Sequence, residues 1–365
     1  MKKVGICTIY FENPNYGGIL QAYAMQKIIE ILGYEAEMIT YYNGTRLHRL
    51  LSRIKNASIK KDTVSKKVRI RRKAVEGFAL SIPHTKLYYS NTICRATNNY
   101  DCFITGSDQV WNPNWINIYT SLDFVDHRKK TIAYAASTGK VNLDPVQSEK
   151  LKRAIENTKY ISIREKESIP VLQEFADRKI EYVLDPTLLF SSKDWNELCS
   201  NRIIDEDYMF CYFLRGNETL RKTALEYAKW KSIKVVSIPF MNGEYRVIDD
   251  GFGDYSLYDV SPKDFLSLIR YATFVMTDSF HAAVFSHLYE REFIVSSELD
   301  NEMGCRLKSL SELFGTEEHY IDNHEMVTLN KLIALENSKM ELKWDQYRTL
   351  RQQSLTFLKE ALEND

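Results

Sequence analysis

The sequence predicts an α/β protein with two Rossmann-like domains that face each other across a cleft. Its 365 residues exceed what one hydrophobic core usually holds, so two domains are expected. Short apolar runs alternate with stretches of helical period, which is the pattern of parallel strands joined by helices. This alternation occurs twice, with Asp185-Pro186-Thr187 between the two sets. We expect domains at residues 1–187 and 188–335, and a C-terminal helix within residues 336–365.

The first set begins with a strand, a glycine-containing loop and a helix. The helix is predicted from about Ile19 to Leu32, and Gly33 ends it. The loop FENPNYGG contains neither GxGxxG nor GxxxxGK[ST], so it is not a dinucleotide fingerprint or a P-loop. We interpret it as a binding loop for a polar group; glycines that serve only close helix–strand packing are the alternative. The strands predicted in this set are Lys3–Tyr10, Glu35–Tyr42, Tyr100–Thr105, Thr131–Ala136, Tyr160–Ile163 and Glu181–Leu184.

Polar residues follow two more strands of this set. The motif GSDQVWNP comes after the third strand and combines hydrogen-bonding side chains with Trp111 and, nearby, Trp115. Aromatic rings beside amide and carboxylate groups suit the face of a sugar, although a buried tryptophan next to a turn gives a similar pattern. Arg164 comes at the tip of the fifth strand. Its guanidinium is expected either to clamp a carboxylate or phosphate or to pair with Glu167.

The second set repeats the alternation and ends in a long amphipathic helix. Arg215-Gly216-Asn217 follows its first strand. The final helix is predicted over Met340–Leu362, packed along a domain or back across the cleft. The other predicted elements are strands at Tyr208–Leu214, Lys234–Ile238, Phe274–Met276 and Glu292–Ser296, and helices at about Glu218–Lys231, Asp264–Tyr271 and Leu307–Leu313.

The stretch FVMTDSFHAAVFSHL places His281 near the start of a helix and just after a buried strand. Thr277, Asp278 and Ser279 are residue types that cap helices. Open α/β sheets bind ligands at the carboxyl ends of their strands, and a helix N-terminus favours an anion there. His281 is therefore a candidate for proton exchange with a substrate. A capping or core histidine is the alternative.

The net charge of zero conceals a basic segment, residues 45–78, which contains twelve Lys/Arg residues against Asp62 and Glu76. Leu47, Leu50 and Leu51 recur there at helical spacing, which predicts an amphipathic basic helix. Such helices bind anionic membranes, contact acidic partners or form a solvated lid. Nucleic acid is not expected, because no aromatic reading motif accompanies the charge.

The remaining composition indicates a cytoplasmic protein, with peripheral contact at the inner membrane face as an option from the basic segment. No apolar run reaches the length of a membrane span, and the N-terminus reads as a strand rather than a signal peptide. The six cysteines are scattered without ligand spacing, so we expect reduced thiols and no metal site.

Taken together, the motifs resemble the polysaccharide pyruvyl transferase family. The resemblance rests on YGGILQAYA, FITGSDQVWNP, KKTIAYAAS, ISIREKES, VLDPTLLF, FLR and TDSFHA, which occur in order from Met1 to about Leu313. It implies a GT-B-type pair of domains without a bound cofactor. It also implies transfer of an enolpyruvyl unit from phosphoenolpyruvate to a sugar of a surface, exopolysaccharide or capsule precursor, including lipid-linked sugars, with closure to a cyclic ketal.

The resemblance also implies roles for particular residues. Arg164 and Arg215 match arginines that would grip the donor's carboxylate and phosphate, and His281 matches a general acid/base. Many relatives have an arginine where this chain has Ser279, so Arg306 or Lys308 is expected to supply that cation. The donor is expected on the second domain, near Asp278 and Ser279. The expected acceptor-binding residues, on the first domain, are Asn15, Tyr16, Gly17, Gly18, Gly106, Ser107, Asp108, Gln109 and Trp111.

Two other functions agree with the same architecture. A GT-B glycosyltransferase would bind a nucleotide sugar near Arg215 and His281. A non-catalytic carbohydrate-binding or scaffold protein would use the cleft without chemistry. Fold alone does not separate these three functions.

Overall fold

The computed structural model describes residues 1–57, 63–139, 143–241, 246–297, 302–322, 327–338 and 340–364. Its described residues form two six-stranded parallel sheets covered by helices, which confirms the predicted fold class. The central strands are buried on both faces, and this explains why they are nearly continuous apolar runs in the sequence. We refer to the parts built on the two sheets as the first half and the second half.

The first half is built on a sheet with the strand order β2-β1-β5-β6-β7-β8. Its order reverses between β1 and β5, because the chain leaves β1 toward one side of the sheet and later returns on the other. The strands are β1 Lys3–Cys7, β2 Glu35–Met38, β5 Cys102–Thr105, β6 Lys130–Ala136, β7 Tyr160–Ile163 and β8 Ile180–Tyr182, with a separate parallel pair formed by β3 Tyr41–Tyr42 and β4 Tyr88–Tyr89.

The second half is built on a sheet with the strand order β11-β10-β9-β12-β13-β14, in which the order reverses between β9 and β12. The strands are β9 Tyr208–Tyr212, β10 Lys234–Ser237, β11 Tyr255–Ser256, β12 Phe274–Thr277, β13 Glu292–Ser297 and β14 Tyr320–Asp322. The helices of both halves are α1 Tyr16–Ile31, α2 Arg46–Ala57, α3 Thr63–Ala79, α4 Pro145–Glu156, α5 Ile169–Gln173, α6 Ser192–Leu198, α7 Glu218–Lys231, α8 Pro262–Arg270, α9 Phe280–Leu288, α10 Glu302–Phe314, α11 Leu329–Asn337 and α12 Trp344–Glu363.

The predicted strand Glu35–Tyr42 is wrong in its second part. The register with β1 ends at Met38, and the next backbone N–H, that of Ile39, still donates to the carbonyl of Ile6 at 2.8 Å. Tyr41 and Tyr42 then pair with β4 instead. A change of pairing partner within one apolar run leaves no mark in the sequence.

The basic segment forms the two helices α2 and α3. Lys60, Lys61 and Asp62, between these helices in the sequence, lie outside the described residues. Two basic side chains of α3 contact the second half. Lys67 forms an ion pair with Asp250 at 2.6 Å, and the buried guanidinium of Arg71 donates to the carbonyls of Leu257 and Tyr258. Part of the charge of α3 therefore joins the two halves rather than facing solvent.

The C-terminal helix α12 contacts both halves. Near its start, Tyr347 stacks on Phe314 of α10. Near its end, the carbonyl of Leu362 accepts from Lys130 at 2.8 Å, and Ser354 accepts from the backbone N–H of Leu184 at 2.9 Å. The helix thus runs from the second half back to the first half.

Candidate active site

The two points of strand reversal face each other across the cleft. The loops after β1 and β5 come from the first half, and the loops after β9 and β12 come from the second. Between them lies a cavity of about 430 Å³, which we call the central cavity. Its volume is within the range of small-molecule sites. It is lined by Ile9, Asn13, Asn15, Asp108, Gln109 and Trp115 from the first half, and by Leu214, Ser279, Phe280, His281 and Arg306 from the second.

His281 is the second residue of α9, and its side chain is largely buried at the central cavity. The helix is capped by Ser279, whose hydroxyl accepts from the backbone N–H of Ala282 at 3.5 Å. One edge of the imidazole packs against Gly17 at the start of α1. On another side, Nε2 lies 3.8 Å from Oδ1 of Asp185, which is an ion-pair distance but longer than a hydrogen bond.

Asp185 follows β8 and is buried behind His281. Its Oδ2 accepts from Nη1 of Arg164 at 2.6 Å and from the hydroxyl of Ser107 at 2.9 Å. Its Oδ1 accepts from the hydroxyl and the backbone N–H of Thr187 at 2.7 and 3.0 Å. Burial alone would raise the pKa of Asp185, but His281 and Arg164 outweigh it and hold that pKa below its ordinary range.

Arg164 is surrounded by carboxylates rather than presented to the central cavity. Besides Asp185, its guanidinium lies 3.3 Å from Glu165 and 3.6 Å from Asp108. Burial opposes its charge, yet these carboxylates raise the pKa of Arg164 above its ordinary value. The sequence leaves two roles for Arg164, a clamp for a substrate anion or an ion pair with Glu167. The structure shows its guanidinium balanced by three other protein carboxylates.

Arg306 is the arginine that lines the central cavity together with His281. It extends from α10, and its guanidinium lies 5.8 Å from the ring centre of Phe280 and 4.0 Å from Glu165. Its side chain is buried despite its charge. Lys308, the other cation suggested by the sequence, is exposed on the same helix and is not among the residues that line this cavity.

Arg215 lines a second, neighbouring cavity of about 210 Å³ with Arg71, Tyr212 and Phe240. Its own backbone N–H donates to Asp278 at 3.0 Å, and that of Leu214 donates to the other oxygen of the same carboxylate at 2.5 Å. Both oxygens of Asp278 therefore bind the loop after β9. Burial raises the pKa of Asp278 to about 6, against the effect of these two hydrogen bonds.

The loops of the first half are held in place by their own polar groups. Asn15 caps α1 by accepting from the backbone N–H groups of Gly17 and Gly18. Gly18 lies so close to the loop after β1 that a β-carbon would come within 3.0 Å of the carbonyl of Ile9. Asp108 has a φ of 67°, a backbone conformation that aspartate tolerates better than most residues, and its side chain lines the central cavity. These loops therefore present amides and a carboxylate in fixed positions.

Several predicted acceptor residues lie away from the central cavity. Tyr16 stacks on Phe265 at 4.7 Å and joins the two halves, and Trp111 is 0% exposed in the core beside β6 and α4. Trp115 is instead the tryptophan that lines the cavity, at 48% exposed. Gly106 and Ser107 are buried beneath the loop; the backbone N–H of Ser107 donates to Gln21.

Sequence reasoning missed Asp185 and Glu165 as part of the site. Asp185 follows a strand at the carboxyl edge of the sheet, which is the same signal that singles out His281. It also begins a turn that contains a proline, and we interpreted it only as the boundary between the two domains. Glu165 directly follows Arg164 in the sequence, but only Glu167 was expected to pair with that arginine. Within the described part of the chain, no group of three or more His, Cys, Asp or Glu side chains is arranged to hold a metal ion. The site thus combines an imidazole, two arginines, three carboxylates and several amides.

Comparison with known proteins gives one family and one fold. A family model described as polysaccharide pyruvyl transferase matches residues 15–300, which confirms the resemblance in the motifs. UDP-N-acetylglucosamine 2-epimerases have similar structures. The enzyme from Neisseria meningitidis, bound to UDP-GlcNAc, is 10% identical with a TM-score of 0.53 over 100% of both chains. That from Methanocaldococcus jannaschii is 13% identical with a TM-score of 0.52, over 96% of this chain and 99% of its own. These structural likenesses show a shared GT-B-type fold. A comparison with curated protein sequences gives no match.

Proposed function

The chain belongs to the polysaccharide pyruvyl transferase family, and from this premise we propose that it transfers the pyruvyl group of phosphoenolpyruvate to a sugar of a surface or capsular polysaccharide precursor. One observation supports this most directly. The central cavity brings His281 and Arg306 from one half together with Asn15, Asp108 and Gln109 from the other. A reaction between an anionic donor and a polyhydroxyl acceptor requires both kinds of group in one place.

The donor fits the second half of the central cavity best. Phosphoenolpyruvate carries a carboxylate and a phosphate, and Arg306 offers a planar guanidinium to either anion. The N-terminus of α9, capped by Ser279, adds the positive end of a helix dipole. Arg164 would contribute to donor binding only indirectly, by orienting the carboxylates around it. Arg215 would reach the donor only from the neighbouring cavity.

The acceptor fits the first half of the central cavity. Amide groups of Asn13, Asn15 and Gln109 would hydrogen-bond sugar hydroxyls, and the exposed ring of Trp115 would pack on a sugar face. Asp108 would accept a hydroxyl proton or orient that hydroxyl toward the donor. The closed contact between the two halves would exclude the water that competes with the sugar.

The reaction adds one proton to the methylene carbon of phosphoenolpyruvate and removes one proton from each of two sugar hydroxyls. His281 would deliver a proton to the methylene carbon of phosphoenolpyruvate, while a sugar hydroxyl attacks C2 and loses its proton to His281 or Asp108. A second hydroxyl then attacks C2, the bond from C2 to the phosphate oxygen breaks, and hydrogen phosphate leaves with the last proton. The product is a pyruvate ketal with a new methyl group. General acid/base catalysis of this kind contributes about 10²–10⁴-fold to a rate.

The decisive experiment measures phosphate release from phosphoenolpyruvate with a panel of lipid-linked and nucleotide-linked sugars. We expect release that depends on both substrates, a product heavier by one pyruvyl ketal, and loss of turnover in a folded His281→Ala variant. Stabilisation against heat by UDP, GDP or CMP but not by phosphoenolpyruvate would instead indicate a glycosyltransferase. Turnover with none of the acceptors, and binding of sugars that His281→Ala leaves intact, would indicate a non-catalytic carbohydrate-binding protein.

We also infer a cytoplasmic enzyme that meets a lipid-linked acceptor at the inner face of the membrane through α2. That helix contains no acidic residue, and Leu47, Leu50 and Leu51 are each more than half exposed on it. Arg49 of α2 pairs with Glu12, in the loop that leads to the central cavity. Basic amphipathic helices of this kind bind anionic lipid surfaces. Among the described residues, no helix has the length and apolar character needed to cross a membrane.

A further inference from the structure

We propose that Asp185 is a positioning residue that orients the imidazole of His281. This inference rests on the proposed function, because it concerns the group that would exchange protons with the substrate. Asp185 belongs to the first half and His281 to the second. The pair therefore joins the two halves directly behind the central cavity.

The position of the Asp185 carboxylate is fixed by three neighbours of the first half. Arg164 and Ser107 hold Oδ2 at 2.6 and 2.9 Å, and Thr187 holds Oδ1 through its hydroxyl at 2.7 Å. Asp185 is 1% exposed, so water does not compete for these contacts. A carboxylate bound in this way does not need to rearrange when charge develops on a nearby group.

His281 has an unused nitrogen on the side of Asp185. Nε2 is buried and makes no hydrogen bond within the described part of the chain, and Oδ1 of Asp185 lies 3.8 Å away. A small rotation of the imidazole would close this gap, and catalytic hydrogen bonds often tighten only when the substrate binds. The other ring nitrogen, Nδ1, is the imidazole atom that a β-carbon at Gly17 would meet first.

The other charged groups near His281 are paired in a way that leaves Asp185 facing the imidazole. Asp108 and Glu165 lie 3.6 and 3.3 Å from Arg164. Glu165 also lies 4.0 Å from Arg306, the second guanidinium at the cavity. Arg164 thus holds three carboxylates, and only Asp185 among them forms an ion-pair contact with His281 in the described structure. Asp185 is therefore the carboxylate of this group that is placed to orient the imidazole.

The test compares the nitrogen-15 NMR signals of His281 in the wild-type protein and in Asp185→Asn, both without substrate. A His281→Gln variant assigns the signals among the seven histidines. We expect the neutral wild-type imidazole to carry its proton on Nε2, and we expect Asp185→Asn to lose this preference. Glu165→Gln, which removes a carboxylate from Arg164 but not from His281, should leave these signals unchanged. Identical His281 signals in the wild type and Asp185→Asn would overturn the assignment.

Kinetics provide the second measurement. Asp185→Asn should lower kcat by roughly 10²-fold or more with little change in the KM for phosphoenolpyruvate, and should alter the acidic limb of the pH–rate profile. An unchanged profile would contradict the positioning role. If Asp185→Asn does not fold, Ser107→Ala keeps the charge but removes one of the two hydrogen bonds to Oδ2, leaving that of Arg164, and should shift the same signals to a smaller extent. Because NMR needs no turnover, a wild-type protein without pyruvyltransferase activity would disprove the proposed function while leaving the Asp185–His281 contact testable.

Discussion

Gly17 packs so closely against His281 that a β-carbon at residue 17 would overlap the imidazole. Gly17 is in the first turn of α1 in the first half, whereas His281 is in the first turn of α9 in the second half. The absence of a side chain at residue 17 thus decides where the imidazole of the other half can lie. The contact offers a way to move His281 without changing it.

We expect Gly17→Ala to lower kcat/KM by roughly 10²-fold, because displacing a catalytic group by about 1 Å can have an effect of that size. The matched control is Gly77→Ala in α3, where an added β-carbon meets no atom within 4 Å. Alanine there should keep activity and raise stability slightly, since alanine favours a helix interior over glycine. Steady-state kinetics and thermal unfolding check both variants, and full activity in Gly17→Ala would refute the packing argument.

The two neighbouring tryptophans should respond to substitution in opposite ways. Trp115→Ala should raise the KM for the sugar acceptor several-fold with little loss of stability, because its ring is half exposed at the central cavity. Trp111→Ala should lower the free energy of unfolding by about 3–5 kcal/mol, because that ring is buried in the core. Chemical denaturation and acceptor titrations measure the two effects. An unaltered acceptor KM in Trp115→Ala would place the sugar elsewhere.

Substitution of Arg306 and Arg215 tests which of the two cavities binds the donor. Arg306→Gln should lower kcat/KM for phosphoenolpyruvate by about 10–100-fold, the effect expected for a lost charge-assisted hydrogen bond. Arg215→Gln should have a smaller effect, because Arg215 lines the neighbouring cavity. Arg306→Lys retains the charge without the planar fork and should fall between wild type and Arg306→Gln. The reverse order of effects would locate the donor beside Arg215.

Stability should fall with rising pH through the titration of Asp278. Its pKa of about 6 lies above the ordinary value near 3.8, so the folded state retains a proton that the unfolded state loses between these pH values. The stabilisation from this proton is complete below about pH 4 and disappears as pH rises through 6, a loss of about 3 kcal/mol. Asp278→Asn cannot titrate. Urea unfolding from pH 4 to 7 should therefore show the wild type weakening relative to the variant, and parallel curves would count against this pKa.

Vesicle binding tests the proposed role of α2. The protein should sediment with vesicles that contain phosphatidylglycerol, less with phosphatidylcholine alone, and less in high salt. The double variant Leu50→Ser/Leu51→Ser should bind roughly tenfold or more weakly, because two exposed leucines no longer insert. Leu225→Ser, at an exposed leucine of α7, is the matched control. Equal binding by the wild type and the double variant would exclude insertion of these two leucines.

The fold could be predicted because its central strands are buried on both faces. Their residues are therefore mostly apolar, and such runs stand out between helices. The helix α7, for example, has the predicted bounds Glu218–Lys231. The edge strands β11 and β14 were not predicted, because they contain two and three residues and carry no periodic signal. The split of the predicted strand at Met38 was missed for a related reason, since pairing with β4 depends on a distant segment.

The site could be predicted only where local sequence decides position. His281 follows directly from a strand, a cap and a helix start, and it does line the central cavity. The environment of Arg164 depends instead on Asp108 and Asp185, which are distant in sequence and meet it only in the folded sheet. For the same reason, spacing alone could not distinguish the buried Trp111 from the exposed Trp115. Long-range pairing, rather than residue type, determines these roles.

The path of α12 has a consequence for synthesis on the ribosome. Ser354 supplies the hydrogen-bond acceptor for a buried backbone N–H of Leu184, and Phe357 packs near Tyr134 in the first sheet. In the chain, Ser354 follows Leu184 by 170 residues, so it is synthesised long after the first sheet. The first half therefore remains incomplete until α12 has been synthesised, and a nascent chain truncated before Trp344 would expose part of that half to chaperones and proteases.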